Sequence, residues 1–327
     1  MKDNRKKMIS ALYITVIALV IFAAASFAWM SYSSTPTVSE LDLSVITDDA
    51  LEIAPDVDGT PGVWSSILDL SDLSGELRPI TFSAEEYSFL IADYGIDGRV
   101  DFSSPIRLME LSKYNESRGN FTAADAELLA DYIIIYDFWL KCDASSCSVV
   151  LSPPVYRTET ELGSGTFVIG EPVWDESTFL HKETGSGAEN AIRIGFLVES
   201  SESDPTDHFV IYEPNADTHG DDAITYSTDD GGGALEGSYK LIRQRKSVWS
   251  ECDPVLKDSV VYSVGDFMSE NCSLFKLTAG EMRHITMFIW LEGQDADCRN
   301  SISRGRVFSN IQFGADQNDD DNPIRPE

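Results

Sequence analysis

Residues 284–293 read HITMFIWLEG. A strand with one wet face shows a polar residue at every second position, and this stretch is apolar on both faces. It predicts an inner β-strand covered on each side, and therefore a fold of stacked sheets. The neighbouring segments agree. In RVFSNIQF (306–313), Val307, Ile311 and Phe313 alternate with polar residues and are expected to point inward. AIRIGFLVES (191–200) places Ile192, Ile194, Phe196 and Val198 on a core face, with Arg193 and Glu199 outward. YIIIYDFWLK (132–141) puts Tyr132, Ile134, Tyr136, Phe138 and Leu140 on one face.

Turn chemistry separates these runs, in LTAGE before His284, LEGQD after Trp290 and YEPNAD after Ile211. Helical periodicity is scarce. One short helix is expected over TAADAELLADY, with Thr122 as N-cap and Asp125 three residues on in the capping-box position. Short β-branched and aromatic runs between Gly, Pro, Asp and Ser clusters describe an all-β sandwich or barrel. Two long acidic stretches interrupt it, GDDAITYSTDDGGGALEG and the C-terminal GADQNDDDNPIRPE, read as a surface loop and a disordered tail.

The amino terminus sets the compartment. Met8 to Met30 is a run of 23 uncharged residues, long enough to cross a hydrocarbon core of about 30 Å as a helix. Lys2, Arg5, Lys6 and Lys7 precede it, and basic flanks stay on the cytoplasmic side, so the remainder is expected outside. Residues 1–28 are thus a signal peptide or a membrane anchor. Small residues at Ser26 and Ala28 suit a signal peptidase cutting between Ala28 and Trp29. Residues 29–45 then form a linker and first strand, 46–314 the sandwich body, and 315–327 the acidic tail.

The chain carries a net charge of −31, and since residues 1–28 contribute four basic and one acidic residue, the rest carries −34. Such a body repels nucleic acid and anionic lipid. Five cysteines follow the leader, and Cys142 and Cys147 bracket a turn-like DASS that makes them a candidate disulfide. None has CxxC spacing, which argues against a zinc site.

Catalytic signatures are missing. The four histidines, His181, His208, His219 and His284, do not form HExxH, and ELGSGTF and ETGSGAE fall short of GxSxG. No enzyme activity and no obligatory cofactor are expected. Clustered carboxylates in DTHGDD and STDDGG, namely Asp217, Asp221, Asp222, Asp229 and Asp230, are candidate Ca²⁺ ligands on glycine-bent backbone. They lack the EF-hand spacing, and the alternative is an acidic loop without metal. Trp64, Trp174 and Trp249 fall outside the best strands, as a sugar platform or as plugs at the sandwich ends.

At the junction SFAWMSYSSTPTVSELDLSV the chain resembles the TasA-like and camelysin family of exported bacterial proteins. Ser26-Phe27-Ala28 stands where that family ends its leader, and Leu41-Asp42-Leu43-Ser44 where its first strand begins. LTAGEMRHITMFIWLEG is similar to the family's turn before a core strand, and ELRPITFSA, IYEPNAD and IWLEGQDADCRN resemble exported proteins of gut-dwelling Firmicutes. The resemblance implies a jelly-roll-like antiparallel β-sandwich, cut by a dedicated signal peptidase and self-associating, or joining related matrix subunits, at the cell surface. It also implies that Trp29 to Val45 adds as a strand to the next subunit. Metalloprotease activity described for camelysin-type members is not carried over, because the zinc motif is absent. The alternative is a tethered surface module that binds glycan or another polymer.

Overall fold

The computed structural model describes residues 38–47, 50–70, 77–83, 88–94, 100–111, 129–142, 146–152, 155–156, 162–170, 174–175, 180–181, 188–205, 207–214, 239–244, 261–264, 273–293, 295, 298, 302 and 305–316, with residue 15 alone before them. In chain order the first strands are β1 (Val38–Thr47), β2 (Leu51–Val57), β3 (Thr60–Pro61), β4 (Ile67–Asp69), β5 (Pro79–Ser83), β6 (Ser88–Tyr94) and β7 (Val100–Glu110). Next come β8 (Ile133–Cys142), β9 (Cys147–Leu151), β10 (Val155–Tyr156), β11 (Leu162–Ser164), β12 (Phe167–Gly170), β13 (Trp174–Asp175) and β14 (Leu180–His181). A short helix, α1 (Ala188–Ala191), leads into β15 (Ile192–Val198) and β16 (His208–Glu213). The last strands are β17 (Tyr239–Gln244), β18 (Val261–Val264), β19 (Ser273–Leu277), β20 (Met282–Glu292) and β21 (Gly305–Asp316).

Two sheets form a sandwich-like, nearly all-β fold. The smaller runs β19-β9-β21-β1-β4, with β12 also on β21. The larger has eleven strands in the order β18-β17-β16-β15-β20-β5-β6-β7, with β8 on β20 and β2 on β8. β20 is its central strand, buried from Arg283 to Glu292, as its two-faced apolar pattern requires. β15 lies along one of its edges, and β8 pairs it from Met282 to Trp290 before β5 joins at Leu291.

The all-β sandwich expected from sequence is present, with mostly antiparallel pairing and some parallel pairs that make the sheets mixed. β1 runs parallel to β21, β16 to β17 and β20 to β5. β1 and β21 open and close the body and are joined by no hairpin, so nothing local forces them antiparallel.

The alternating faces of the large sheet pack against different partners. Ile192, Ile194, Phe196, Val198, Ile285, Met287, Ile289, Phe138 and Leu140 meet Val307, Ile311 and Phe313 of the small sheet in one core. Leu197, Phe209, Ile211, Phe288 and Trp290 face the other way, into a second core closed by Ile80, Phe82, Phe89 and Met109 of β5–β7. Its rings interlock, with Phe82–Phe209 centroids 5.0 Å apart and Phe89–Trp290 5.1 Å apart. A side chain at Gly195 would start 2.7 Å from Phe209 Cζ and 3.1 Å from Trp290 Cζ3, so only glycine leaves room for this layer.

The second core revises two face assignments. Arg193 does point away from the first core, but that side is roofed and the residue is fully buried. Tyr132 packs with the second core, while Ile134, Tyr136, Phe138 and Leu140 share the first as expected. Of the helix expected before β8, Leu129 and Ala130 are helical and the preceding turns lie outside the described residues. The boundary expected at 45/46 falls inside β1, and β21 continues through the first two residues of the expected tail. No helix among the described residues is long and apolar enough to cross a membrane; the apolar run 8–30 lies outside them apart from Thr15.

Candidate functional site

Beyond the roof of β5–β7, the same outer face of the large sheet turns polar. On β20 the outward positions are His284 and Thr286, and the register sets them opposite Trp139 and Asp137 of β8. Two positions on from Ala54, which pairs with Trp139, Asp56 of β2 joins the row. From β15, the Glu199 amide donates to the His284 carbonyl at 3.1 Å and carries the Glu199 carboxylate to the other side of the ring.

Three carboxylates thus surround one imidazole. His284 Nε2 lies 3.6 Å from Asp56 Oδ1 and 3.7 Å from Asp137 Oδ1, and Nδ1 lies 3.7 Å from Glu199 Oε2. These separations exceed a hydrogen bond. The short contacts go elsewhere, since Trp139 Nε1 donates to Asp56 Oδ1 at 2.6 Å and Thr286 Oγ1 to Asp137 Oδ1 at 2.6 Å. The Trp139 ring stands edge-on to the imidazole at 4.8 Å. The arrangement is a cage of three partly exposed carboxylates around an imidazole that is itself only 2% exposed. Burial, then Asp137, then Asp56, raises the Tyr136 hydroxyl above its ordinary pKa of 10.0.

Beside the cage, Lys141 Nζ sits 4.7 Å over the Trp64 ring and pairs with Glu52. Val63, next to Trp64, is 83% exposed. Trp64 is half-buried, Trp174 belongs to β13, and Trp249 lies outside the described residues.

At the rim, two turns are laced together. Ser201 Oγ and Ser203 Oγ donate to Glu281 Oε1 at 2.5 and 2.7 Å, and the Thr278 amide and hydroxyl donate to Oε2 at 2.9 and 2.7 Å. Partial burial pushes the Glu281 carboxyl up, but the Ser201, Thr278 and Ser203 hydrogen bonds outweigh it and lower the pKa to about 2. Buried Arg283 donates to Ser201 Oγ at 2.7 Å and spans Glu281 and Asp204. His208 Nε2 is 2.7 Å from Asp204 Oδ2.

The strand expected to be donated is held within its own sandwich. β1 pairs with β21 from Val38↔Gly305 to Thr47↔Phe313, and its Leu43 and Val45 are buried in the first core. On its other edge, among the described residues, β4 pairs with Ser44, Val45 and Ile46.

The other expected residues distribute as follows. Cys142 and Cys147 are buried thiols at the end of β8 and the start of β9, so the expected bridge is not formed in this structure. Ala28, Trp29, Asp217, Asp221, Asp222, Asp229 and Asp230 lie outside the described residues. Among the described residues no group of three or more His, Cys, Asp and Glu is arranged to hold a metal ion.

The cage was missed from sequence, although its signal is present in the i, i+2 pairs His284/Thr286 and Asp137/Trp139. The hairpin that presents Asp56 also had one, an Asp58-Gly59 dipeptide with φ of 53° and 82°, as a two-residue turn of the hairpin type demands. No family model, curated protein or solved structure matches this chain.

Proposed function

We propose that this chain is an exported, non-enzymatic cell-surface or matrix protein that associates with further copies, or with related subunits, through its N-terminal strand. The observation that carries the reading is the position of β1. The strand that directly follows the leader and linker supplies Leu43 and Val45 to the core and lies along the last strand for nearly its whole length. A strand joined to the body through the short stretch 48–50, and held on its second edge, among the described residues, only by the three-residue β4, fills the equivalent slot of a second copy with the same contacts, at the cost of losing its own. The leader pattern and the junction resemblance supply the compartment.

Mixed cross-linking tests this. A copy carrying Ser44→Cys is combined with a copy carrying Asn310→Cys, positions opposite each other in the β1–β21 register. Strand exchange yields a covalent hetero-adduct during assembly, and filaments seen by electron microscopy disappear when residues 29–45 are deleted. Filaments that persist unchanged after that deletion refute the strand-exchange reading.

A second reading, a tethered module that binds glycan or another polymer, is favoured by the polar face carrying Trp139, Trp64 and partly exposed carboxylates. Mass spectrometry of the native N-terminus separates the two. Trp29 as first residue goes with release, and an intact leader goes with the tether.

A further inference from the structure

At one end of the sandwich three connections cross between the sheets, from Thr47 to Leu51, from Cys142 to Cys147 and from Leu277 to Met282. The last two have paired ends, since β8 pairs with β20 through Lys141↔Met282 while β9 pairs with β19 through Cys147↔Leu277. Leu51, which starts β2, is the register partner of Cys142. Cys142 and Cys147 therefore occupy facing corners of the two sheets, both buried and both in the first core with Leu51 and Leu277.

We propose that Cys142 and Cys147 form a modification site that closes to an inter-sheet disulfide. Only four positions separate Cys142, the last residue of a large-sheet strand, from Cys147, the first residue of a small-sheet strand, and both side chains are buried in the first core. Cys298 also joins this core, but its amide donates to the Asp295 carbonyl beyond Glu292, at the opposite end of β20 from Met282. Among the described cysteines, the topology sets Cys142 and Cys147 at one end of the sandwich and Cys298 at the other; Cys252 and Cys272 lie outside the described residues.

The oxidant is a disulfide, either a small molecule or a protein. One cysteine thiolate attacks its S–S bond, giving a mixed disulfide and one released thiol. The second cysteine thiolate then attacks the mixed disulfide, forming the Cys142–Cys147 bond and releasing the second thiol. Two thiol protons and two electrons leave the protein, and the reagent is reduced to two thiols. Occurrence in the cell rests on the extracytoplasmic location proposed above, whereas the pairing does not. The bridge ties the sheets together beside the β1–β2 crossover, at a corner that does not include β1 itself.

The test treats the purified full-length chain with oxidised glutathione, then alkylates it in denaturant and maps the unreduced peptides. The expected result is loss of two of the five thiols and a cross-linked peptide joining Cys142 to Cys147. Cys298→Ala leaves that cross-link in place, and Cys142→Ala or Cys147→Ala removes it. The oxidised chain should unfold about 5 °C above the reduced one, a shift missing from the double Ala variant. Five alkylatable thiols after oxidation and refolding overturn the proposal, as does a cross-link of either residue to Cys298. A bridge that forms in vitro but is missing from protein recovered from its cells upholds the pairing and contradicts the extracytoplasmic location.

Discussion

The outer face of the large sheet holds two clusters of charged and titratable groups, and they are built by opposite rules. In the half roofed by β5–β7, the Arg193 guanidinium Nη2 meets Asp295 Oδ2 at 2.5 Å and Glu213 Oε1 at 3.0 Å, and Nη1 donates to the Asn190 and Ile192 carbonyls at 2.6 and 3.0 Å. All three ionic side chains are at most 1% exposed. In the open half the carboxylates around His284 keep 18–31% exposure and stand off at 3.6–3.7 Å. A charge removed from water must recover its solvation through short, multiple bonds, whereas one with water on one side is held by a screened field. β15 and β20 run beneath both halves, whereas Glu213 comes from β16 and Asp56 and Asp137 from β2 and β8; the roof of β5–β7 goes with the first half.

Four measurements break or sharpen this contrast. The largest effect is expected for Arg193→Met, which strands Glu213 and Asp295 in the dry half and should cost about 3–5 kcal/mol in urea unfolding. A cost below about 1 kcal/mol would mean that water reaches this half. Gly195→Ala comes next, since a methyl group there pushes on Phe209 and Trp290; overpacking of this kind costs about 1–3 kcal/mol.

Glu281→Gln acts through pH. The folded carboxyl at about 2 lies below the ordinary 4.5, so its stabilisation is fully present above 4.5 and disappears as pH falls through about 2. The variant should show a flatter stability curve across that window than the wild type, and an identical slope would remove Glu281 from the account. The smallest effect belongs to Glu199→Gln in the open half, less than about 1 kcal/mol and shrinking further in salt. A large salt-independent loss there would make the two halves alike.

Much of the sandwich was legible in the primary structure because core strands of β-branched and aromatic residues leave a period-two record. β20 read as covered on both sides, and the inward sets of β15 and β21 emerged as expected. Arg193 shows where such reading ends. Alternation tells which side of a strand a residue takes, and it is silent on whether a distant hairpin later covers that side. The His284 cage was illegible for the same reason, since its members come from β2, β8, β15 and β20, and Asp56 and His284 are 228 positions apart.

From its own sequence this chain determined that it would be built of strands, which of them would be buried, and that a long uncharged run follows a basic start. Those are local properties, encoded by side-chain hydrophobicity at short range. Tertiary structure alone decided that the first strand lies parallel to the last, and that β5–β7 roof one half of a sheet face and leave the carboxylates of the other half partly exposed. Each of these depends on strand pairing between segments far apart in the chain, and pairing follows the burial of surface summed over the whole fold rather than any single stretch of it.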